Sequence, residues 1–600
     1  MTLHDPLLED SRARLRALDL TSFIVEAPAG AGKTELLTQR YLRLLAVVKN
    51  PEEVLALTFT NKAATEMRDR ILGSLNAALL PLPADVAPHK LQTRELASAV
   101  LAHDKVRAWG LLEHPGRLRI TTLDALCASL ARQMPYLSRF GTQPRVTDGA
   151  EAYYQTAARR TLEMLEEATP SAEVVAAALN FMDNHAGRLE RLIVSLLARR
   201  DQWVRHAGRI NEAGLRDEVN AGFSDLLARD LSDLAQLLPP VLQSSLMAPV
   251  RFAAANQPEW LGELLDWNEP LHATLDDLPR WQALAGLLLT SSGKLRSRYT
   301  KNEGFPADKV GKPFKEALSE ALAGLIAVDG LEAALLQAQQ MPGPALSDEE
   351  WATVETFSHL LRLAAGQLWL AFQEGGEVDF IEIAARASLA LGDDEAPTDL
   401  AQTLDYRISH LLVDEFQDTS PVQVELLEQL TRGWQPDDGR TLFVVGDPMQ
   451  SIYRFRKADV GLFLRVRQNG IGGIALENLR LYRNNRSYPA IVDWVNATFP
   501  HIFPVLDNPE RGAVRYTPSL ATRNARADSA VQVHPLVVDE MALASQIEAD
   551  KLLQIIRETR LAYPEESIAI LVRARSHLQT LVATLRRVAP EQRFQAVEIE

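Results

Sequence analysis

Short apolar runs recur in the chain, and each is followed by a stretch in which apolar residues have helical spacing. The runs lie at 23–25, 54–59, 410–413 and 442–445. Continuous apolar and β-branched runs are typical of strands that are buried on both faces of a parallel sheet. Helices are predicted to follow, for example over 35–45 and 63–75. The alternation of strand, loop and helix therefore predicts an α/β domain with a doubly wound parallel sheet.

The alternation stops between 131 and 375, where the sequence is rich in Ala and Leu with helical spacing. This change predicts a helical insertion that divides the α/β domain into a first part, 1–130, and a second part, 376–475. A second α/β region is predicted over 476–600, with strands at 530–538 and 568–572. We expect that second region to be incomplete within these residues.

Composition narrows the class of protein. With 46% apolar and 24% charged residues among 600, the chain is predicted to be globular with more than one domain. The single cysteine, Cys127, excludes an intrachain disulfide and a CxxC metal site, and it predicts a reducing, cytoplasmic location. No apolar run approaches the roughly 20 residues of a membrane span, so no membrane association is expected. The net charge of −16 argues against coating of nucleic acid by bulk charge, although a local basic groove stays possible.

A Gly- and Ala-rich loop, APAGAGKT, lies between a predicted strand and a predicted helix. This setting is typical of a phosphate-binding loop, in which backbone N–H groups surround the β-phosphate. The lysine supplies a positive charge to the β- and γ-phosphates, and the threonine hydroxyl is a ligand for Mg²⁺. An Ala stands at the first position, where the general pattern has Gly. The predicted nucleotide-binding residues are Ala27, Pro28, Ala29, Gly30, Ala31, Gly32, Lys33 and Thr34.

Two adjacent carboxylates, Asp414 and Glu415, follow the apolar run at 410–413. Open α/β sheets bind their ligands at the carboxyl ends of the strands. The first acid can hold Mg²⁺, and the second can orient or deprotonate the water that attacks a γ-phosphate. Alone, the pair would be explained better by a strand that ends in a solvated acidic turn. Together with the phosphate loop, it predicts nucleoside triphosphate hydrolysis.

Three longer motifs make a family resemblance specific. DEFQDTS at 414–420, LTFTNKAATEMRDRI at 57–71 and VVGDPMQSIYRFRKAD at 444–459 resemble, in order and spacing, the motifs of superfamily 1 helicases of the UvrD/Rep type. The long helical insertion and the segment APAGAGKTELL resemble the RecB/AddA branch. The resemblance implies a P-loop NTPase (RecA-like) domain split by the insertion, followed by the start of a second RecA-like domain.

The resemblance also implies an activity. It implies an ATP- and Mg²⁺-dependent helicase that moves 3′ to 5′ on single-stranded DNA, separates duplex DNA and serves recombinational repair of double-strand breaks. Proteins of this branch work with a second helicase–nuclease subunit of the AddB/RecC kind, and often continue into a nuclease. No nuclease cluster is visible in these residues. The alternative is a DNA-end-binding subunit of such a complex that uses ATP as a switch and does not itself unwind.

Further residues of the nucleotide site follow from the resemblance. Gln450 corresponds to a glutamine that connects the γ-phosphate with the DNA-facing loop, and Arg486 to an arginine that reaches the γ-phosphate. Asn485 stands where related proteins often carry a tyrosine that stacks on adenine, and Arg12 stands in the place of an adenine-reading glutamine. Recognition of adenine is therefore not predicted.

Two segments match DNA-contacting segments of the family. Tyr453 and Phe455 correspond to a base-stacking pair, with Arg456 beside them; the alternative is an aromatic strand face in the core. The other segment suits phosphate contacts without base recognition, and it equally suits a helix N-cap. Its residues are Thr58, Phe59, Thr60, Asn61 and Lys62.

The basic segment 291–315 carries seven Lys and Arg residues, with Tyr299, Phe305 and Phe314 between them. It is a candidate DNA contact, and a solvated loop explains it equally well. The later family motifs, resembling KGLEF and ALTRA, do not occur in these residues. We therefore expect residues 1–600 alone to bind ATP weakly, to show negligible DNA-stimulated turnover and to separate no strands.

Overall fold

The structure, a computed structural model, describes residues 5–82, 86–133, 144–147, 149–392, 398–452, 458–526, 530–538 and 541–588. The chain divides into two compact units, Met1–Arg526 and Ala527–Glu600. None of the helices in the described ranges is both long enough and apolar enough to cross a membrane.

The first unit is built on a six-stranded parallel sheet. In chain order, the strands of the unit are β1 (Phe23–Glu26), β2 (Val54–Thr58), β3 (Arg119–Thr122), β4 (Arg145–Val146), β5 (Glu377–Val378), β6 (His410–Val413), β7 (Thr441–Gly446), β8 (Glu477–Arg480), β9 (Arg483–Asn484) and β10 (Leu520–Ala521). The large sheet has the order β3-β2-β6-β7-β1-β8, while β4 pairs with β5 and β9 with β10. The predicted strands at 23–25, 54–59, 410–413 and 442–445 are confirmed as β1, β2, β6 and β7.

The helices belong to two regions of the first unit. Those around the sheet are α1 (Pro6–Arg16), α2 (Lys33–Leu45), α3 (Asn61–Leu79), α4 (Pro88–Arg107) and α5 (Leu123–Gln133). Those from 151 to 375 are α6 (Glu151–Glu163), α7 (Pro170–Phe181), α8 (Ala186–Leu197), α9 (Val204–Gly208), α10 (Leu215–Leu237), α11 (Pro240–Asn256), α12 (Pro258–Leu261), α13 (Leu278–Leu288), α14 (Gly311–Leu325), α15 (Leu331–Gln340) and α16 (Asp348–Gly375). After the helical region follow α17 (Phe380–Leu391), α18 (Asp399–Arg407), α19 (Pro421–Leu430), α20 (Val460–Asn469) and α21 (Pro489–Thr498).

Alternate residues of each central strand are buried against opposite helical layers. Phe23 and Phe443 belong to the core formed with α2, α3 and α4. Ile24 and Val444 belong to the core formed with α5, α17 and α19. Because successive side chains of a strand point to opposite faces, a strand buried on both faces must be apolar throughout. The predicted α/β class, a P-loop NTPase sheet interrupted by a large helical insertion, is confirmed.

The helical region has two large hydrophobic cores of its own and a small third one, formed by Ile210, Leu215 and Trp351. One large core is formed by α6, α7, α8 and α16, and the other by helices from α10 to α15. The region is attached to the sheet through a buried ion pair, in which Arg200 donates two 2.6 Å hydrogen bonds to Asp379, the residue that precedes α17. The boundaries of 131–375 for an insertion domain stay a prediction.

Strand β8 lies in the stretch that we predicted to open the second α/β domain, yet it pairs with β1 at the edge of the first sheet. The second unit contains the helices α22 (Met541–Ala562) and α23 (Leu578–Val588). The strands predicted at 530–538 and 568–572 are wrong, because these segments have no strand pairing among the described residues. An apolar, β-branched run forms a strand only where a partner supplies hydrogen bonds.

Candidate functional site

The loop between β1 and α2 turns at the carboxyl end of the sheet. The Ala27 N–H donates to the Gly446 carbonyl (3.0 Å), which fixes the start of the loop to the end of β7. Gly30 and Gly32 have φ of +76° and +82°, and helix α2 begins directly afterwards at Lys33. A positive φ is accessible to glycine without steric cost, and it turns successive N–H groups toward one point. The loop thus has the form of an anion cradle at a helix N-terminus.

The predicted arginine segment packs directly on this loop. The Asn485 N–H donates to the Gly30 carbonyl at 2.9 Å. A Cβ added at Gly30 would lie 2.5 Å from Asn484 Oδ1 and 2.9 Å from the Cβ of Arg486. Gly30 is therefore required by close approach as well as by its φ. The contact brings Arg486 next to the phosphate loop, although Arg486 and Gly30 are 456 positions apart in the sequence.

The two carboxylates follow β6 between the ends of β2 and β7. The Asp414 N–H donates to the Leu57 carbonyl (2.9 Å), so the sheet pairing continues as far as the first acid. Glu415 then adopts the left-handed conformation, with φ of 50° and ψ of 44°. This conformation is disfavoured by roughly 1–2 kcal/mol for a residue with a side chain, and such strain is concentrated at functional sites.

Lys33 and Glu415 are paired in the site. Lys33 Nζ lies 2.7 Å from Glu415 Oε2, and the side chains are 14% and 36% exposed. The same Glu415 oxygen accepts a 2.8 Å hydrogen bond from Gln417 Nε2. The phosphate loop and the carboxylate turn therefore meet at one point.

Burial and a neighbouring negative charge raise the pKa of Asp414 to about 7. Burial is the main cause, the carboxylate of Glu415 adds to it, and Lys33 opposes it. Two acids beside one lysine leave a deficit of positive charge, which suits a divalent cation. Carboxylate and hydroxyl oxygens, such as those of Asp414 and Thr34, are the ligands that Mg²⁺ prefers. The residues at this edge thus fit a magnesium ion.

A chain of hydrogen bonds connects the carboxylate turn with the segment after β7. Gln417 Oε1 accepts from the Asp447 N–H at 2.9 Å, and the Gln417 carbonyl accepts from Ser451 Oγ at 3.1 Å. The buried Asp447 in turn accepts a 2.5 Å hydrogen bond from the amide of Gln450, which is exposed. Burial raises the pKa of Asp447, against the effect of its hydrogen bond with Gln450. Gln450 is therefore connected to Glu415 through Asp447 and Gln417.

The predicted DNA-contacting residues are only partly described. Thr58 is buried and its hydroxyl donates to the Thr60 carbonyl at 3.1 Å. Thr60 is the N-cap of α3, which confirms the helix-cap interpretation for that residue, and Phe59 is half-buried. Asn61 and Lys62 are exposed in the first turn of α3. The remaining three predicted contacts, Tyr453, Phe455 and Arg456, lie outside the described residues.

The basic segment 291–315 does not expose its aromatic residues. Tyr299 and Phe305 are 1% exposed, and Phe314 stacks on Phe252 with 4.3 Å between ring centroids. These rings belong to the core of the helical region, so they are unavailable for base stacking. Burial excludes base stacking by Tyr299 and Phe305, while a DNA contact through the basic residues of the segment stays a prediction.

Some residues of the site were not identified from sequence. Gln417 and Asp447 occur in the motifs that carry the resemblance, but the Gln417 side chain reaches the Asp447 N–H only after folding. Asp10 and Arg14 on α1 form an ion pair (2.7 Å), and Arg14 Nη2 donates to the carbonyl of Ala31 in the phosphate loop at 2.6 Å. Their spacing of four is an ordinary helical one, which gives no sign of this contact.

Residues 9–470 match the family model described as UvrD/REP helicase N-terminal domain. The matched range includes the phosphate loop, the carboxylate turn and Gln450, and it ends before Arg486.

Curated relatives of the chain are named as ATP-dependent helicase/nuclease subunits. The chain is 28% identical to the relative from Desulfitobacterium hafniense (strain DSM 10664 / DCB-2) over 82% of this chain and 36% of the relative. It is 25% identical to the relative from Exiguobacterium sibiricum over 90% of this chain and 44% of the relative. With the protein of Moorella thermoacetica the identity is 30%, over 82% of this chain and 35% of the relative. The chain thus spans less than half the length of these relatives.

Proposed function

We propose, since the chain belongs to the UvrD/REP helicase N-terminal domain family, that it carries the ATP-hydrolysing part of a motor that moves on single-stranded DNA. The ion pair between Lys33 and Glu415 is the observation that carries this proposal. It joins a phosphate-binding lysine to a carboxylate that can act on water, at the edge where a parallel sheet presents its ligands.

The pair also suggests how nucleotide binding prepares hydrolysis. A triphosphate in the loop competes with Glu415 for the charge of Lys33, because phosphate oxygens then surround the ammonium group. Release from Lys33 leaves Glu415 free to orient a water or accept its proton, while Gln417 still holds the carboxylate at 2.8 Å.

Thr34 and Asp414 would hold Mg²⁺, which, when bound, neutralises charge on the β- and γ-phosphates. Asp414 must be ionised for this role, and the positive charge of a bound cation would lower its raised pKa. Arg486 extends from the segment that packs on Gly30, and its guanidinium would stabilise the charge of the transferred group. Gln450 would transmit the state of the site through Asp447 and Gln417.

Asn61 and Lys62 are exposed in the first turn of α3, which is separated by two residues from the end of β2 at the same sheet edge. We assign them to the DNA backbone, because amide and ammonium groups contact phosphates without recognising bases. We also propose DNA contacts for Tyr453, Phe455 and Arg456, which lie outside the described residues.

The proposal extends to the direction of movement on DNA, the repair pathway and the partner subunit. We propose movement 3′ to 5′, a role in recombinational repair of double-strand breaks, and location in the cytoplasm. The relatives are named as helicase/nuclease subunits, which supports a second subunit of the AddB/RecC kind.

The proposal is tested by measuring whether bound nucleotide changes the affinity of the chain for single-stranded DNA. The affinity of the chain for a fluorescent single-stranded oligonucleotide is measured by anisotropy, with and without Mg²⁺ and a slowly hydrolysed ATP analogue. Binding at the two sites of one motor is linked, so we expect the analogue to change DNA affinity about fivefold or more. In Lys33→Ala, this change should disappear. Equal DNA affinity with and without the analogue in the unsubstituted chain would refute the proposal.

A further inference from the structure

The first helix supplies a positive charge to the phosphate loop. Arg14 donates from Nε to Asp10 Oδ2 at 2.7 Å and from Nη2 to the Ala31 carbonyl at 2.6 Å. The Arg14 side chain is 22% exposed. Two of its three nitrogen atoms are thus held by the protein, and the direction of the guanidinium plane is fixed by them.

Asp10 holds Arg14 and the segment before Arg486 together. It is completely buried, and its Oδ1 accepts from the N–H groups of Tyr482 (2.8 Å) and Arg483 (3.1 Å). Arg483 Nε lies 3.1 Å from Asp10 Oδ2. One carboxylate therefore fixes both α1 and the chain that leads to Arg486.

Two guanidinium groups share one carboxylate in this cluster. Asp10 is paired with both Arg14 and Arg483, while the carboxylate of Glu9 lies beside Tyr482. Like charges that are held close together are costly without an anion beside them. The cluster therefore favours a negatively charged ligand.

The remaining donor of Arg14 faces the loop. Arg14 Nη1 lies 3.8 Å, and Asn485 Nδ2 3.9 Å, from the position that a Cβ on Gly32 would take. Gly32 itself is exposed, and Nη1 makes no hydrogen bond within the described residues. Two donors thus stand beside the exposed side of the loop, directly before the lysine that binds the phosphates.

We infer that Arg14 is a nucleotide-binding residue, which contacts the sugar–phosphate part that ATP and ADP share, and that Asp10 positions it. The inference rests on the proposed function. Contact with the terminal phosphate is not expected, because that phosphate belongs beside Lys33 and Glu415, which are paired with each other. The N-terminal helix thereby contributes to nucleotide affinity.

The dissociation constants of Mg²⁺–ATP and Mg²⁺–ADP are measured by calorimetry for the full chain and for Arg14→Gln. Loss of a charge-assisted contact should raise the dissociation constants of both nucleotides by a similar factor, roughly ten- to hundredfold. Arg14→Lys keeps the charge and should recover part of the affinity.

Arg16→Gln is the matched control. Arg16 lies on the same helix and pairs with Glu477 (2.7 Å), so the substitution weakens the attachment of α1 to β8 without touching the loop. Its nucleotide affinity should stay within about twofold of the unsubstituted chain, because this exposed pair contributes little. An equal loss of nucleotide affinity in Arg16→Gln would mean that Arg14 has only a structural role, and it would overturn the inference.

Other results separate this inference from the proposed function. One such result is that Lys33→Ala loses nucleotide binding while Arg14→Gln binds both nucleotides as tightly as the unsubstituted chain does. In that case Arg14 is not a binding residue, and the proposed function stands. A loss in Arg14→Gln that is confined to ATP would contradict the contact assigned here. If the unsubstituted chain binds neither nucleotide, both proposals fail.

Discussion

Lys33 Nζ lies 2.7 Å from Glu415 Oε2, so two residues that are 382 positions apart in sequence form an ion pair at the end of the parallel sheet. Under the proposed function, the phosphates of a bound nucleotide would replace Glu415 beside Lys33. This rearrangement on binding makes the roles of the two residues separable by experiment.

Glu415→Gln should bind Mg²⁺–ATP as tightly as the unsubstituted chain, or more tightly, since Lys33 is no longer held by a carboxylate. Hydrolysis should fall by about a hundredfold or more, because the water loses its base. Binding is measured by calorimetry and hydrolysis by phosphate release in a single turnover. Glu113→Gln, at an exposed position, serves as the control. A Glu415→Gln protein that binds no nucleotide would show instead that Glu415 is needed for the site itself.

Gly30→Ala should abolish nucleotide binding and lower the melting temperature. The added methyl group would meet Asn484 Oδ1 at 2.5 Å in a residue whose φ is +76°. Gly433→Ala separates the effect of a positive φ from the effect of the contact with Asn484. Gly433 has a φ of +78°, and nothing lies within 4 Å of the added Cβ. Gly433→Ala should cost about 1 kcal/mol of stability and leave nucleotide binding intact. Equal effects of the two substitutions would mean that the contact with Asn484 is unimportant.

Arg200→Met should strongly destabilise the junction between the helical region and the sheet. Arg200 and Asp379 are 5% and 6% exposed, so the substitution leaves a buried carboxylate without its partner. Loss of one partner from such a pair costs about 3–5 kcal/mol. Unfolding in urea measures the change. The exposed ion pair of Arg209 with Glu218 provides the comparison, and Arg209→Met should leave stability unchanged. A loss below about 1 kcal/mol in Arg200→Met would contradict this role.

Stability should fall in mild acid because of His410. Burial, with a smaller contribution from the charge of Arg40, lowers its pKa to about 4, against about 6.5 in the unfolded chain. Between these values the unfolded chain binds the proton more tightly, so the stability present above about pH 6.5 is lost as the pH falls toward about 4. The loss from about pH 7.5 to about pH 5 should be about 2 kcal/mol.

His410→Gln should remove this part of the pH dependence in urea unfolding. His114→Gln, at an exposed position, should leave it unchanged. Identical pH dependence in His410→Gln and in the unsubstituted chain would show that His410 is not the group responsible.

The central strands could be predicted from sequence because burial on both faces requires continuous apolar runs. Strand β8, with the sequence ENLR, could not be, since it is a polar strand at the sheet edge. The apolar runs at 530–538 and 568–572 were predicted as strands but form none among the described residues, because a strand also needs a partner that local sequence does not specify.

The phosphate loop and the carboxylate pair were predicted because their chemistry depends on neighbours in sequence. Gln417 meets Asp447 across 30 positions, and Asp10 meets Tyr482 across 472. Neither contact has a local pattern. In the basic segment 291–315, Tyr299 and Phe305 could not be assigned from sequence, because aromatic side chains suit a core as well as a binding surface.

The most direct test of the central claim is the affinity of the chain for Mg²⁺ and a slowly hydrolysed ATP analogue, measured by calorimetry before and after Lys33→Ala. The account predicts saturable binding of one nucleotide per chain, weakened at least about tenfold by the substitution because the phosphates lose a charged partner. The melting temperature of the two proteins should stay within a few degrees, which excludes unfolding as the cause. Equal affinity in the two proteins would contradict the assignment of this loop as the nucleotide site, and with it the motor.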